Sequence, residues 1–311
     1  MRAIGLHAWG GPEALQPLEL PTPEPGPGEL RMRVRAATVN PADVIFRVGL
    51  RAAAIGNRPP PWVPGMEAAG VVDAVGDGVE RTVGEHVMAI VLPVGRHGGA
   101  YAEQVVVPAD SVAAMPAGTS FVEAATLPMN GLTARLALDR LALGAGDVLA
   151  VTGAPGALGG YVVQLARSEG IAVIADTSAA DEALVLELGA DRVVGRGHHF
   201  ASQIRALVPS GVDGLVDAAA IGPSGFGAVR EGGGFVAVRP QDDDPGSGIV
   251  VHDVRVTEYA LEREKLEALR ELVERGVLTL RVADTYPLAE AAAAHRRYEA
   301  GGVRGRLVLE L

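Results

Sequence analysis

Cysteine is missing altogether from the 311 residues of this chain. That absence excludes disulfides, a thiol nucleophile and any zinc site built from thiolates. Aromatic residues are scarce, at 4%, so the 48% hydrophobic content must build its cores from Val, Leu, Ile and Ala. Basic charge is also in deficit: the formal net charge is −11, and no cluster of Lys or Arg interrupts it. Nucleic acid and anionic membrane both require a basic face, so neither is an expected partner. No run approaches the roughly 20 apolar residues of a membrane helix. The opening Met1-Arg2-Ala3-Ile4-Gly5-Leu6-His7 reads as a first strand and lacks the apolar core of a signal peptide. These absences point to a cytoplasmic protein of two domains, on a prior of about 150 residues each.

What is present is most informative between Leu149 and Gly160. The apolar run Leu149-Ala150-Val151-Thr152 ends in Gly153, Gly156 and Gly159, and Val162, Val163, Leu165 and Ala166 then recur near a helical period. Strand, tight turn and helix in that order suit a dinucleotide. Glycine allows the sharp turn, the close approach of backbone to pyrophosphate and tight helix–sheet packing, while the helix N-terminus offers N–H groups to phosphate. Thr152, Gly153, Gly156, Ala157, Leu158 and Gly159 are the candidate phosphate-binding residues. The spacing is GxxGxxG rather than GxGxxG, and Pro155 removes one N–H. A second strand over residues 170–176 ends in Asp176, which follows Gly153 by 23 positions. A ribose-binding carboxylate is expected roughly 20 residues on.

Residues 1–118 read as β-rich, with runs at 31–37, 69–75, 86–92 and 100–107 separated by Pro and Gly clusters. From Ser120 helical stretches near 122–127 and 133–141 lead into the glycine strand. Strand and helix candidates then alternate through 148–152, 158–168, 171–176, 181–188, 192–194, 201–208, 214–217 and 234–238. That alternation predicts a doubly wound parallel sheet. A polar loop at 241–248 precedes an amphipathic helix over 261–275, a second helix near 288–299 and a final strand at 305–309. Gly222-Pro223-Ser224-Gly225-Phe226 lacks the second glycine of a nucleophile elbow, which argues against a serine hydrolase. The histidines are scattered and read as solvated or core residues.

With these elements in order, four blocks resemble the medium-chain dehydrogenase/reductase superfamily, in its zinc-free quinone oxidoreductase (zeta-crystallin type) branch. Val39-Asn40-Pro41-Ala42-Asp43 with Arg47 and Gly49 resembles VNPxDxxxRxG. Pro64-Gly65-Met66-Glu67-Ala68-Ala69-Gly70-Val71-Val72 with Val75-Gly76 resembles PGxExxGVVxxVG. Gly98-Gly99-Ala100-Tyr101-Ala102-Glu103 resembles GGxYAE, and Ala124-Ala125-Thr126-Leu127 with Gly131-Leu132-Thr133-Ala134 resembles the AA…GLTA block. The resemblance implies an α/β protein: a GroES-like β-barrel catalytic domain at 1–118, completed by 255–311, and a Rossmann domain at 119–254. It also implies a homodimer and an active site in the cleft between the domains.

In zinc members the metal is held at positions matching Asn40, Met66 and a site near Met129. These side chains are no zinc ligand set, so the resemblance implies zinc-free chemistry. A metal-free site suits hydride transfer from NADP(H) or NAD(H) to a quinone, enone or enoyl electrophile. Asn40 is the candidate donor to the oxygen that gains charge, with a proton taken from water. Asp43 and Arg47 read as an ion pair orienting the Asn40 loop. Thr133 is implied near the nicotinamide, or else bonds back to its own helix. Arg51 stands near a position where many members carry a substrate-facing Tyr; it either binds an acidic or thioester substrate or reaches solvent. For the 2′-phosphate, family habit favours NADP(H), and Thr177, Ser178 and Arg196 suit it. Asp176, with Asp181-Glu182 where a lysine is common, favours NAD(H). The balance falls to NADP(H). The alternatives are a trans-acting enoyl reductase or tailoring enzyme of a biosynthetic pathway, and a cofactor-binding protein with little catalysis.

Overall fold

Side-chain alternation fixes the first strands. β1 (Arg2–Gly5) pairs antiparallel with β2 (Gln16–Glu19), and the long β3 (Glu29–Val39) follows. Along β3, Leu30, Met32 and Val34 are buried while Arg33 and Arg35 are exposed, the period of two that a one-sided core demands. Asn40 caps α1 (Pro41–Arg47), which places Pro41 in the first turn, where its missing N–H costs nothing. α2 (Ala52–Ile55), β4 (Glu67–Val75), β5 (His86–Ile90), β6 (Gln104–Pro108), β7 (Val112–Ala114) and α3 (Phe121–Ala124) complete this run. β3, β4, β5 and β7 pair antiparallel in that order, and β6 pairs with β3.

The chain then alternates. α4 (Pro128–Leu141) leads to β8 (Val148–Thr152), α5 (Ala157–Ser168), β9 (Ala172–Thr177), α6 (Glu182–Glu187) and β10 (Arg192–Gly195). α7 (Phe200–Leu207), β11 (Val212–Asp217), β12 (Val229–Ala237) and β13 (Val250–Asp253) follow. All six strands pair in parallel, in the order β10-β9-β8-β11-β12-β13. This is the doubly wound order in which the winding reverses between the first and fourth strands, here β8 and β11, and ligands bind at the carboxyl ends beside that reversal. α8 (Arg263–Glu274), β14 (Val282–Pro287), α9 (Ala291–Glu299) and β15 (Arg306–Glu310) end the chain. β15 pairs antiparallel with β3 and parallel with β14.

The computed structural model describes residues 1–311 and divides into two compact units. One comprises residues 1–129, 260–274 and 280–311; the other comprises 130–259 and 275–279. Sequence reading placed the first division at 118/119. The structure keeps α3 with the first unit because it packs on β3, β4, β14 and β15. Residues 275–279 go with the second unit, where the Thr279 N–H donates to Gln164 Oε1 at 2.8 Å. Each unit has its own core. Leu30, Met32, Val72, Val87, Val105 and Leu307 belong to the first, and Ile174, Phe200, Ile204, Leu215 and Phe235 to the second. No helix is long and apolar enough to cross a membrane.

α4 ends in a left-handed residue that is not glycine. Ala142 adopts φ +50°, with its N–H donating to Leu138 O at 3.0 Å. A Cβ in this region costs about 1–2 kcal/mol, partly offset by the greater chain entropy of glycine. Ala142→Gly should therefore raise stability by about 0.5–1 kcal/mol, measured by urea unfolding; a destabilised variant would contradict this account of the helix end.

Candidate active site

At the end of β8 the three glycines meet different demands. Gly153 has φ +66°, and a Cβ there would lie 3.1 Å from the Ala219 nitrogen. Gly159 brings α5 against the turn: a Cβ would stand 2.7 Å from the Gly153 carbonyl carbon and 2.8 Å from Ala154 Cα. Gly156 is the extended N-cap residue of α5, and no side chain caps the helix. Ala157 and Leu158 form its first turn, whose N–H groups have no partner within the helix. The Thr152 hydroxyl is committed locally, donating to Asp217 Oδ1 at 2.6 Å and accepting from the Ala219 N–H at 3.1 Å.

Asp217 is the organiser that sequence reading missed. Its buried carboxylate also accepts from the N–H groups of Ile221 at 3.0 Å and Gly222 at 2.8 Å. It thereby holds a loop in which Ala220 is left-handed, with φ +55°. An acid as the last residue of a parallel strand was the available signal, since ligands gather at that edge of such sheets.

Asp176 lies at the expected level but is turned inward. Its Oδ1 accepts from the Gly153 N–H at 2.7 Å, and the side chain is buried. Burial raises this carboxyl above its ordinary value, opposed by the Gly153 N–H, the charge of Arg196 and the Ala154 N–H. Thr177 Oγ1 donates to its neighbour's carbonyl, Ser178 O, at 3.1 Å. Ser178 Oγ donates to Asp181 Oδ2 at 2.6 Å, and Arg196 Nη2 lies 4.0 Å from the same oxygen.

In the first unit, Thr38, Asn40, Glu67 and Arg306 form a closed, buried network. Glu67 Oε1 accepts from the Thr38 hydroxyl, from Asn40 Nδ2 at 3.1 Å and from Arg306 Nη2 at 3.1 Å. Its Oε2 accepts from the Met129 N–H at 2.7 Å. Asn40 Nδ2 also donates to Thr38 Oγ1 at 3.0 Å, and the Asn40 side chain takes part in the capping box of α1. Both N–H groups expected to meet a substrate oxygen are thus directed into the network. Thr133 is buried on α4, and Arg51 is exposed at the start of α2.

The ion pair expected between Asp43 and Arg47 is not formed. Asp43 instead accepts from the N–H groups of Asn40 at 2.8 Å and Gly65 at 2.9 Å. Arg47 pairs with Glu299, 252 residues away. Two backbone donors satisfy the Asp43 carboxylate, and the helix turn directs Arg47 toward α9. Close by, the hydroxyl of the buried Tyr101 lies 3.0 Å from His295 Nε2, and burial, helped by the Arg47 charge, lowers His295 to about 3.

Comparison with known proteins fits these parts. Residues 26–117 match the alcohol dehydrogenase GroES-like domain family, and residues 188–309 match the zinc-binding dehydrogenase family. The quinone oxidoreductase of Pseudomonas aeruginosa is 30% identical over 334 residues, covering 99% of both chains. The chain belongs to the medium-chain dehydrogenase/reductase superfamily, in its quinone oxidoreductase branch. The 2-haloacrylate reductase of Burkholderia sp is likewise 30% identical, over 99% of this chain and 98% of that one. The human synaptic vesicle membrane protein VAT-1 homolog-like is 33% identical over 70% of this chain; the match spans about half of that relative, 50% of its length. Among solved structures, mycobacterial Rv1454c complexed with NADPH superposes with a TM-score of 0.87 at 28% identity, covering 100% of both chains.

The name of the second family raises the question of zinc. The positions implied by the resemblance hold one amide, already bonded to Thr38 and Glu67, and the thioethers Met66 and Met129. Neither group suits zinc, which prefers thiolate, imidazole or carboxylate. No group of three or more His, Asp or Glu side chains is gathered to share a metal ion.

Asp43 makes the network sensitive to pH. Burial pushes its carboxyl up to about 7 from 3.8, against the pull of its two N–H donors and Arg306. The folded chain therefore keeps this proton where the unfolded chain has lost it, so the contribution is full below the unfolded value and is lost as pH rises through the folded one. Relative to Asp43→Asn, the wild type should lose stability between about pH 4 and 7. Urea unfolding across that range measures the difference, and parallel profiles for the two proteins would refute the assignment.

Proposed function

We propose that this chain is a zinc-independent, nicotinamide-dependent oxidoreductase that reduces a quinone or an α,β-unsaturated carbonyl compound. The observation that carries the reading is the glycine turn after β8, with a left-handed Gly153, α5 pressed against it through Gly159, and a helix N-terminus that no side chain caps. That cradle suits a pyrophosphate. The names of the Pseudomonas and Burkholderia relatives support the acceptor class, and the NADPH complex of the mycobacterial neighbour supports the cofactor class.

When bound, the nicotinamide supplies the hydride. The chain's own residues bind and orient: the turn and first residues of α5 hold phosphate, and Thr133 is assigned to the nicotinamide end by its family position. Asn40 acts by fixing the entry to α1 through its amide, and Arg51 is the exposed cation for an acidic or thioester group on the substrate. The proton comes from water. Zinc independence rests on the poor donor set at Asn40, Met66 and Met129. Preference for NADP(H) over NAD(H) rests on Arg196 beside Ser178, and on Asp176 being turned away into the glycine turn. We also assign a homodimer to the outer edge of β13, which pairs only with β12 within the chain.

Titrating the protein with NADPH and NADH, each followed by nicotinamide fluorescence, tests the cofactor. Both should bind, and Arg196→Ala should abolish the preference for NADPH; an unchanged ratio would remove Arg196 from the phosphate site. Binding of neither cofactor at millimolar concentration would sink the redox reading. Turnover with a panel of quinones, enones and enoyl thioesters separates the acceptors. Activity confined to enoyl thioesters would favour the tailoring enzyme, and cofactor binding without turnover a non-catalytic protein. Light scattering should give twice the chain mass of 31.9 kDa; a monomer would refute the β13 interface.

A further inference from the structure

The acid at the end of β9 has the sequence position of a ribose-binding carboxylate, yet its side chain is occupied by the glycine turn. A second acid, Asp181, four residues beyond the strand, stands where the first was expected to act. We propose that Asp181, rather than Asp176, is the carboxylate that sets the choice between NADPH and NADH, by holding Arg196 and opposing a 2′-phosphate. The proposal rests on the nicotinamide reading above and deepens it.

Strand register brings the relevant groups together. β10 runs parallel to β9 with Gly195 opposite Thr177, so Arg196 and Ser178 leave the sheet side by side at its carboxyl edge. The chain then turns through the short helix Ala179–Asp181, which returns Asp181 toward Ser178. Asp181 Oδ2 accepts from Ser178 Oγ at 2.6 Å and lies 4.0 Å from Arg196 Nη2. The Asp181 side chain is only 11% exposed and that of Arg196 is 39% exposed, so the cation is the more accessible member of the pair.

The two cofactors differ at this edge by one phosphate. A phosphate monoester carries about −1.5 to −2 charges at neutral pH and is best met by a guanidinium. Arg196 can meet it only by sharing itself with Asp181, and the phosphate oxygens then face a nearby carboxylate. A free ribose hydroxyl has the opposite requirement, because it can donate to a carboxylate. Arg196 and Asp181 therefore pull in opposite directions through one contact. Ser178, whose hydroxyl now serves Asp181, is withheld from the phosphate as well. The expected outcome is a chain that accepts both cofactors with a modest ratio between them.

Asp181→Asn keeps the shape of the side chain and an acceptor for Ser178 while removing the charge. Fluorescence titration of the full chain should show NADPH binding about tenfold tighter, the change from removing one close like charge, with NADH within about twofold of wild type. Asp181→Ser, which retains a hydroxyl beside Ser178, should repeat the shift. Adding Arg196→Ala to Asp181→Asn should remove the gain. If both Asp181 variants bind both cofactors with the wild-type ratio, or weaken them equally, Asp181 has no part in the choice and the nicotinamide reading stands. If wild type binds neither cofactor, the underlying reading fails first.

Discussion

A carboxylate removed from water must find donors or a cation inside the protein, because an unanswered buried charge is among the costliest features a fold can carry. Glu67 is the clearest case. It is fully buried, and its two oxygens are answered by Thr38 and Asn40 at the end of β3, by Arg306 on β15 and by the N–H of Met129 on α4. Three segments distant in sequence are tied to one side chain. Removing Arg306 would leave the Glu67 charge without its cation, so the ends of β3, β4 and β15 rely on this pairing for their mutual position.

The same device recurs in the second unit, where it shapes the glycine turn after β8. Asp176 takes the Gly153 N–H, Asp217 takes Thr152 and the loop 221–222, and Asp213 takes the Val148 N–H at 2.8 Å where β8 begins. Glycine permits the turn, but these acids hold it. Ala220 illustrates the hold: a left-handed alanine is unfavourable by about 1–2 kcal/mol, and the hydrogen bonds of Asp217 to the following residues keep the loop in place. With no cysteine and few aromatics available, buried carboxylates accepting backbone N–H groups do much of the work of fixing loops to strand ends.

This device also explains what sequence could and could not disclose. The strand, glycine turn and helix at 148–168 were legible because period and spacing are local, and the alternation beyond them implied the parallel sheet. The direction of the Asp176 carboxylate was not legible, since a spacing of 23 residues says how far an acid lies from Gly153 but not which way it faces. Nor was the partner of Arg47, because Glu299 lies on α9, near the other end of the chain, and only the return of β15 to β3 brings that segment back. β13 and β14 were missed for a simpler reason. Both are edge strands with mostly accessible side chains, so they carry no alternation of apolar and polar residues to read.

Asn40 joins these threads. Its amide was singled out as a donor for the reacting oxygen, because an amide donates without any pKa requirement. In the structure that same property serves the interior: one neutral group bridges Thr38 and Glu67 without adding charge beside Arg306. An amide at this position thus leaves Glu67 and Arg306 as the one opposed pair of charges in the network, with Thr38 and Asn40 answering the oxygen that the guanidinium shares.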